Sequence, residues 1–192
     1  RYISVTGVQT CALPICYRQT GALQVRESLP LADIRAALLS AEVKLILRQK
    51  SATALSLSAC RISGDNDPSD KTARSFDLLF GSKHGYYGLM DYYPDRMFAD
   101  QGLEDYAVGL TTHNSDRLQL TAEAHVFRTD AAPPSASVKA IGKELDMTLI
   151  WTHSKSLSLE AGCCALFPDA LVRALHGSAV STWGYVMTTV KC

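Results

Sequence analysis

The chain has 192 residues with 19 basic and 19 acidic side chains, so its net charge favours neither nucleic acid nor an acidic partner. This length is compatible with a single domain. No run of about 18 apolar residues exists, which excludes a transmembrane helix but not a membrane β-barrel, whose strands are only half apolar.

The first sixteen residues, RYISVTGVQTCALPIC, differ from the rest of the chain. They have no alternation, no helical period and no signal-peptide layout. Within them, VTGVQTCALPI at 5–15 is similar to the in-frame translation of a common sequencing adapter. We therefore interpret residues 1–16 as an artefactual segment, exclude them from fold prediction and treat 17–192 as the native part.

From residue 17 onward, the dominant pattern is a strict alternation of apolar and polar side chains. In LQLTAEAHVFR at 118–128, apolar residues alternate with Gln119, Thr121, Glu123 and His125. Such a period of two is typical of strands with one apolar face. One segment, 34–47, is also rich in alanine and leucine and would suit a helix, but its parity favours a strand. The predicted strands are 17–27, 34–47, 53–61, 103–113, 118–128, 143–153, 157–167 and 182–191.

The linkers between these strands alternate in length. HNSDR and SKS are tight turns, whereas 129–142 and 168–181 are long. We interpret 63–102 as one long extracellular excursion, with two additional strands near 72–80 and 84–93 as the alternative. Short turns on one side and long loops on the other are typical of outer-membrane barrels, although a soluble sandwich or barrel would also alternate.

Several phrases of the sequence, taken together and in order, resemble the alginate export family of bacterial outer-membrane β-barrels. The likeness extends from about residue 33 to the end of the chain. The phrases are SGDNDPSD at 63–70, SFDLLFGSKHGYYGLMDYY at 75–93, GLEDYAVGL at 102–110, LTAEAHVF at 120–127, GKELDMTLIWTHSKSLSLEAG at 142–162 and WGYVMTTVK at 183–191.

The resemblance implies an all-β fold, an antiparallel transmembrane β-barrel of about 18 strands that is monomeric at full length. Residues 17–192 would be its C-terminal part and would supply about eight strands, which form an open curved sheet in isolation. The chain departs from the family at Cys192, where an aromatic residue is common, and at Cys163 and Cys164, which we interpret as small apolar fillers.

The resemblance also implies a function in the outer membrane of a Gram-negative cell. The expected partners are the lipid bilayer and an anionic, alginate-like polysaccharide or related solute, which the channel exports or lets diffuse. No cofactor, no nucleic-acid partner and no enzymatic activity are expected. The alternatives are a nonspecific porin and a soluble, ligand-binding β-barrel or sandwich.

If the apolar rows face lipid, the polar rows line a channel whose charges set its selectivity. Acids outnumber bases in these rows, which does not by itself favour passage of a polyanion. The predicted lumen-facing solute path comprises Lys44, Arg61, Arg128, Glu123, Asp146 and Glu160.

The segment GDNDPSDK offers oxygen ligands of the kind that calcium prefers, in Asp65, Asp67 and Asp70. It lacks the full spacing of a calcium-binding loop, and the same residue types are ordinary turn formers. We therefore favour a plain turn and keep a metal site as the alternative. No pattern of the G-x-S-x-G or H-E-x-x-H kind indicates catalysis.

Overall fold

A computed structural model describes residues 10–23, 31–48, 51–67, 69–77, 87–91, 99–133 and 138–191. Within these ranges, the chain forms β-strands joined by turns, with one α-helix, α1 at Ala170–His176. Over the same ranges, no helix combines the length and the apolar character that crossing a membrane requires. The strands are β1 Thr10–Leu23, β2 Ala32–Arg48, β3 Thr53–Ile62, β4 Thr72–Ala73, β5 Leu103–Ser115, β6 Leu118–Arg128, β7 Ala140–Ser154, β8 Leu157–Pro168 and β9 Ser181–Val190.

Eight long strands lie side by side in chain order, β1-β2-β3-β5-β6-β7-β8-β9, and each pairs antiparallel with its neighbour. The two-residue strand β4 pairs parallel with β2. The sheet is open, because β1 and β9 lie at its opposite edges. The prediction of an all-β, antiparallel open sheet of about eight strands is confirmed, and β6 has the predicted bounds.

The structure corrects our exclusion of the first sixteen residues from the fold. Strand β1 begins at Thr10, so residues 10–16 pair with β2. The proline at position 14 is compatible with this strand, because β1 is an edge strand and one side of its backbone needs no partner. The adapter origin of residues 5–15 stays a prediction.

The two alternatives for residues 63–102 have different outcomes. Near 72–80 the described residues form only β4, and at 87–91 they form no strand. Residues 78–86 and 92–98 of this segment lie outside the described residues. The described parts therefore agree with a single excursion between β3 and β5, because β3 pairs directly with β5.

Burial along the strands is inverted relative to a soluble protein. On β7, Glu144 and Asp146 are each 2% exposed, whereas the intervening Leu145 is 46% exposed and the following Met147 43%. Since successive side chains of a strand point to opposite faces, the sheet has a polar face and an apolar face. We call the face that carries Asp146, and the side chains aligned with it across the strands, the polar face. The opposite face, which carries Leu145 and the side chains aligned with it, is the apolar face.

A small core covers one end of the polar face, the end where the long loops lie. It is formed by Leu38, Ile62, Leu103, Phe127, Ile141, Leu166, Leu171 and Val172. The short helix α1 contributes the last two of these and packs against β7 and β8. Its N-cap is Asp169, whose carboxylate accepts a hydrogen bond from the Ala170 N–H at 2.7 Å.

Candidate functional site

The strand register brings several acids together at the centre of the polar face. Glu123 on β6 lies directly opposite Asp146 on β7, and His125 lies opposite Glu144. On the other side of β6, Asp105 of β5 pairs with Phe127, one step along the same face from His125. The register places all these side chains on the same face of the sheet. They form one cluster, which we call the acidic cluster: Asp105, Glu123, His125, Glu144 and Asp146.

His125 contacts two carboxylates of the acidic cluster. Its Nδ1 lies 3.0 Å from Oδ2 of Asp105, and its Nε2 lies 3.6 Å from Oδ2 of Asp146. All three side chains are largely buried, with Asp146 the most buried. The imidazole therefore bridges carboxylates from two different strands, and in its protonated form it offsets part of their negative charge.

A short segment of the excursion covers the acidic cluster. The backbone N–H of Leu89 donates to Asp146 Oδ2 at 3.1 Å, and the N–H of Met90 donates to Glu144 Oε1 at 3.0 Å. The preceding Gly88 is buried with a φ of +73°. A Cβ at Gly88 would meet the Glu144 carboxylate and the ring of Phe127. Glycine thus allows the backbone to approach β7 closely.

Two carboxylate oxygens of the acidic cluster are left unsatisfied. Glu144 Oε2 and Asp146 Oδ1 are buried and have no hydrogen-bond partner within the described residues. Asp146 borders a polar cavity of about 220 Å³, which is also lined by Asp105, Glu123 and His125. Buried acceptors without donors are costly, so this cavity favours water, protons or solute groups that donate hydrogen bonds.

The structure separates the six predicted solute-path residues. Glu123, Asp146 and Glu160 share the polar face, as does Lys44, which is exposed. Lys44 is the one lysine or arginine that the regularly paired parts of the described long strands place on this face, since Arg48 follows a register shift in β2. The polar face described here is therefore acidic.

The structure does not place Arg61 and Arg128 on the polar face with the other four predicted residues. Both residues lie in one row with Glu104, on the apolar face at its loop end. Arg61 Nε donates to Asp130 Oδ1 at 2.6 Å, and Arg128 Nε lies 3.9 Å from Glu104 Oε2. The physical reason is parity, because each arginine is offset by one position from the polar residues of its own strand.

Glu160 is part of a second polar contact, near the β9 edge. The Tyr185 hydroxyl donates a hydrogen bond to Glu160 Oε1 at 2.5 Å, and the Trp183 ring lies 5.0 Å from the Tyr185 ring. Both aromatic side chains lie on the polar face with Glu160. They therefore add flat, partly exposed rings to the polar face, of the kind on which sugar rings can stack.

The segment proposed as an alternative calcium site is a plain turn. Asp65 accepts a hydrogen bond from the Asp67 N–H at 3.0 Å, and Asp67 accepts one from the Ser69 N–H at 3.2 Å. Arg74 binds Asp70 through Nη2 at 2.7 Å and lies 3.5 Å from Asp65. No group of three or more His, Cys, Asp or Glu within the described ranges could hold a metal ion. These carboxylates have partners within the turn, and the metal alternative for Asp65, Asp67 and Asp70 stays a prediction.

The same turn shifts one acid–base equilibrium. The hydrogen bond from the Arg74 guanidinium, assisted by one from the Thr72 N–H, lowers the pKa of Asp70. The same contact raises the pKa of Arg74. Both groups are exposed to solvent, so this ion pair shapes the loop more than it stabilises the fold.

The sequence did not single out three features of the site. These are the contacts of His125 with the carboxylates of the acidic cluster, the position of Leu89 and Met90 over that cluster, and the hydrogen bond between Tyr185 and Glu160. Parity alone places His125 beside Glu123, so that signal was available. The other two depend on contacts between residues distant in sequence, which alternation does not encode.

Comparison with protein-family models gives no match to this chain, and comparison with curated proteins gives none either. Membership of the alginate export family therefore stays a prediction.

Proposed function

We propose that this chain is part of an outer-membrane β-barrel channel, with its apolar face against lipid and its polar face along an aqueous path. The observation that supports this most strongly is the inverted burial of β7. There Glu144 and Asp146 are covered while Leu145, Met147 and Leu149 are exposed. A soluble sandwich or barrel would pack such an aliphatic row into its core.

Energetics favour a hydrocarbon environment for the apolar face. Exposed large apolar side chains recur on neighbouring strands, and each contributes about 1.5–3 kcal/mol when it leaves water. On a monomeric soluble protein, a continuous apolar surface of this extent is rare. The exposed residues on the apolar face of the central strands include Leu57, Tyr106, Val108, Leu110, Leu120, Val126, Leu145, Met147, Leu149 and Trp151.

The distribution of loops supports an orientation in the membrane. The connections β5–β6 and β7–β8 are two-residue turns at one end of the sheet. The connections β3–β5, β6–β7 and β8–β9, the last of which contains α1, join their strands at the other end. Outer-membrane barrels place short turns in the periplasm and long loops outside. We assign the core-bearing end to the cell exterior.

An anionic, alginate-like polysaccharide is the solute that the family resemblance implies. The acidic character of the described polar face does not complement such a polymer, because Lys44 is its one lysine or arginine within the regularly paired parts of the described strands. This observation favours a second candidate, a nonspecific diffusion porin. Reversal potentials of the full-length channel distinguish the two: an anion preference supports polysaccharide export, and a cation preference supports the porin.

Membrane insertion is tested by placing a charge on each face. Val108 and Leu145 occupy one cross-strand row of the apolar face, on either side of Ala124. In the full-length channel, Val108→Asp combined with Leu145→Asp should strongly reduce insertion into phosphatidylcholine vesicles, because each carboxylate facing lipid near the midplane is destabilising, although by less than the roughly 2–4 kcal/mol that an arginine or lysine costs there. The matched control is Ser56→Asp on the polar face, directly opposite Lys44, which should insert normally.

Detergent dependence gives the complementary measurement. The unmodified chain should need detergent to stay monodisperse in size-exclusion chromatography. A chain that is monodisperse in plain buffer, and whose solution behaviour ignores the Val108→Asp and Leu145→Asp changes, would contradict the membrane proposal.

A further inference from the structure

A group of basic side chains borders the apolar face at its loop end. Arg61 on β3 and Arg128 on β6 lie in the outermost row, and both are exposed. Lys143 on β7 lies in the next row, opposite Val126, and is also exposed. This basic row (Arg61, Arg128 and Lys143) therefore lies on the side of the sheet that faces away from the acidic cluster.

An apolar groove begins directly beside the basic row. It has a volume of about 560 Å³ and is lined by exposed side chains that include Leu57, Val108 and Leu145. The short side chain of Ala124 forms the floor of the groove, between Val108 and Leu145 in the cross-strand register. The groove is open to the side on which we propose that lipid lies.

Lys143 connects the groove to the basic row. The register aligns Tyr106, Val126, Lys143 and Phe167 across four strands, so Lys143 lies between Val126 and Phe167 in a row that also contains Tyr106, and all four residues line the groove. Tyrosine and lysine at the ends of membrane strands are suited to the boundary between hydrocarbon and headgroups. The arrangement offers an apolar body with a cationic end.

The basic row keeps an excess of positive charge. Asp130 holds Arg61 at 2.6 Å, and Glu104 lies 3.9 Å from Arg128, so two carboxylates face three cations. Lys143 has no ion pair or hydrogen bond with any residue that the structure describes. Its charge is available for an anion from outside the chain.

We propose that this surface binds an anionic membrane lipid, with the phosphate of the headgroup on Lys143 and Arg128 and an acyl chain in the groove. This inference rests on the proposed function, because it requires the apolar face to contact lipid. Guanidinium and ammonium groups donate strong, charge-assisted hydrogen bonds to phosphate, and the apolar groove can bury an acyl chain. A polysaccharide has no acyl chain to occupy the groove, and the surface faces away from the polar path.

The test is lipid binding by the detergent-solubilised chain, measured by native mass spectrometry with dioleoyl phosphatidylglycerol and dioleoyl phosphatidylcholine. We expect phosphatidylglycerol to bind about tenfold more tightly, since basic residues near a membrane surface attract anionic headgroups. Lys143→Gln combined with Arg128→Gln should remove this preference, and Lys143→Arg with native Arg128 should retain it. Circular dichroism confirms that each variant folds.

Two controls separate a specific lipid site from general charge attraction. Lys155→Gln removes an exposed lysine in the turn at the opposite end of the sheet and should leave the lipid preference unchanged. Glycerol phosphate, the headgroup chemistry without acyl chains, should compete at least tenfold more weakly than the lipid.

The outcomes also distinguish this inference from the proposed function. Equal loss of preference in Lys155→Gln, equal binding of both lipids, or full competition by glycerol phosphate overturns the lipid site. If the full-length channel nonetheless inserts into phosphatidylcholine vesicles, the membrane proposal stands without the lipid site. Failure of the full-length channel to insert into any vesicle overturns both.

Discussion

The carboxylate of Glu144 accepts a hydrogen bond at 3.0 Å from the backbone N–H of Met90, a residue 54 positions away in the chain. The neighbouring acid of the same strand face, Asp146, holds Leu89 in the same way. Strand β7 therefore fixes part of the excursion between β3 and β5 over the acidic cluster. In the proposed channel, this contact would narrow the aqueous path at the level of β7.

Removal of this acceptor should release the segment. Glu144→Ala is expected to increase the hydrogen-exchange rate of the Met90 amide by about threefold to tenfold, because a hydrogen bond contributes about 0.5–1.5 kcal/mol. Glu42→Ala removes an exposed acid from the same face and is the matched control. Equal exchange of the Met90 amide in both variants would contradict the role assigned to Glu144.

Gly88 should resist substitution for a steric reason. Gly88→Ala places a Cβ against Glu144 and Phe127 at a φ of +73°, and we expect a loss of about 2–3 kcal/mol in the free energy of unfolding. Gly177→Ala has a comparable φ of +92° but open space around the new Cβ. It should lose only about 1 kcal/mol, the backbone part of the effect. Urea unfolding in detergent measures both, and equal losses would show that close packing at Gly88 is unimportant.

The bridging imidazole should stabilise the acidic cluster. His125→Ala leaves Asp105 and Asp146 without their shared partner, and we expect a loss of about 3 kcal/mol in the free energy of unfolding. His176→Ala, at an exposed position in the last turn of α1, should cost less than about 1 kcal/mol. The same urea titration serves for both, and a difference below about 0.5 kcal/mol would argue against a bridging role for His125.

The loop ion pair gives a prediction for pH. Arg74 lowers the pKa of Asp70, so the contact is fully present above the pKa that Asp70 has in the unfolded chain. It is lost as the pH falls through the lower, folded-state pKa. Arg74→Gln should raise the pKa of Asp70 towards its ordinary value, as followed by carboxyl carbon NMR. An unchanged titration of Asp70 in Arg74→Gln would contradict the assignment.

Alternation was enough to predict the sheet and the contents of its polar face. A period of two places Asp105, Glu123, Glu144, Asp146 and Glu160 on one side wherever pairing is regular, and the register confirms this. The same rule assigns Arg61 and Arg128 to the apolar face. Our prediction of a lumen position for them gave more weight to charge than to parity.

Other features depend on contacts that no local pattern encodes. The hydrogen bonds of Leu89 and Met90 to β7 join segments far apart in the chain. The helix α1 is short and is stabilised by packing at Leu171 and Val172. Helices of this length have little intrinsic stability. Strand β1 was missed before residue 17 because its pairing with β2 uses backbone groups, which do not require an alternating sequence.

The outer margins of β1 and β9 have a consequence for handling the chain in water. Each margin presents a row of N–H and C=O groups that no other described strand occupies. Copies of the chain could join margin to margin and stack through their aliphatic surfaces. The product would be a growing ribbon with the cross-β spacing of about 4.7 Å between strands. Amphiphile should therefore be present from the first step of refolding.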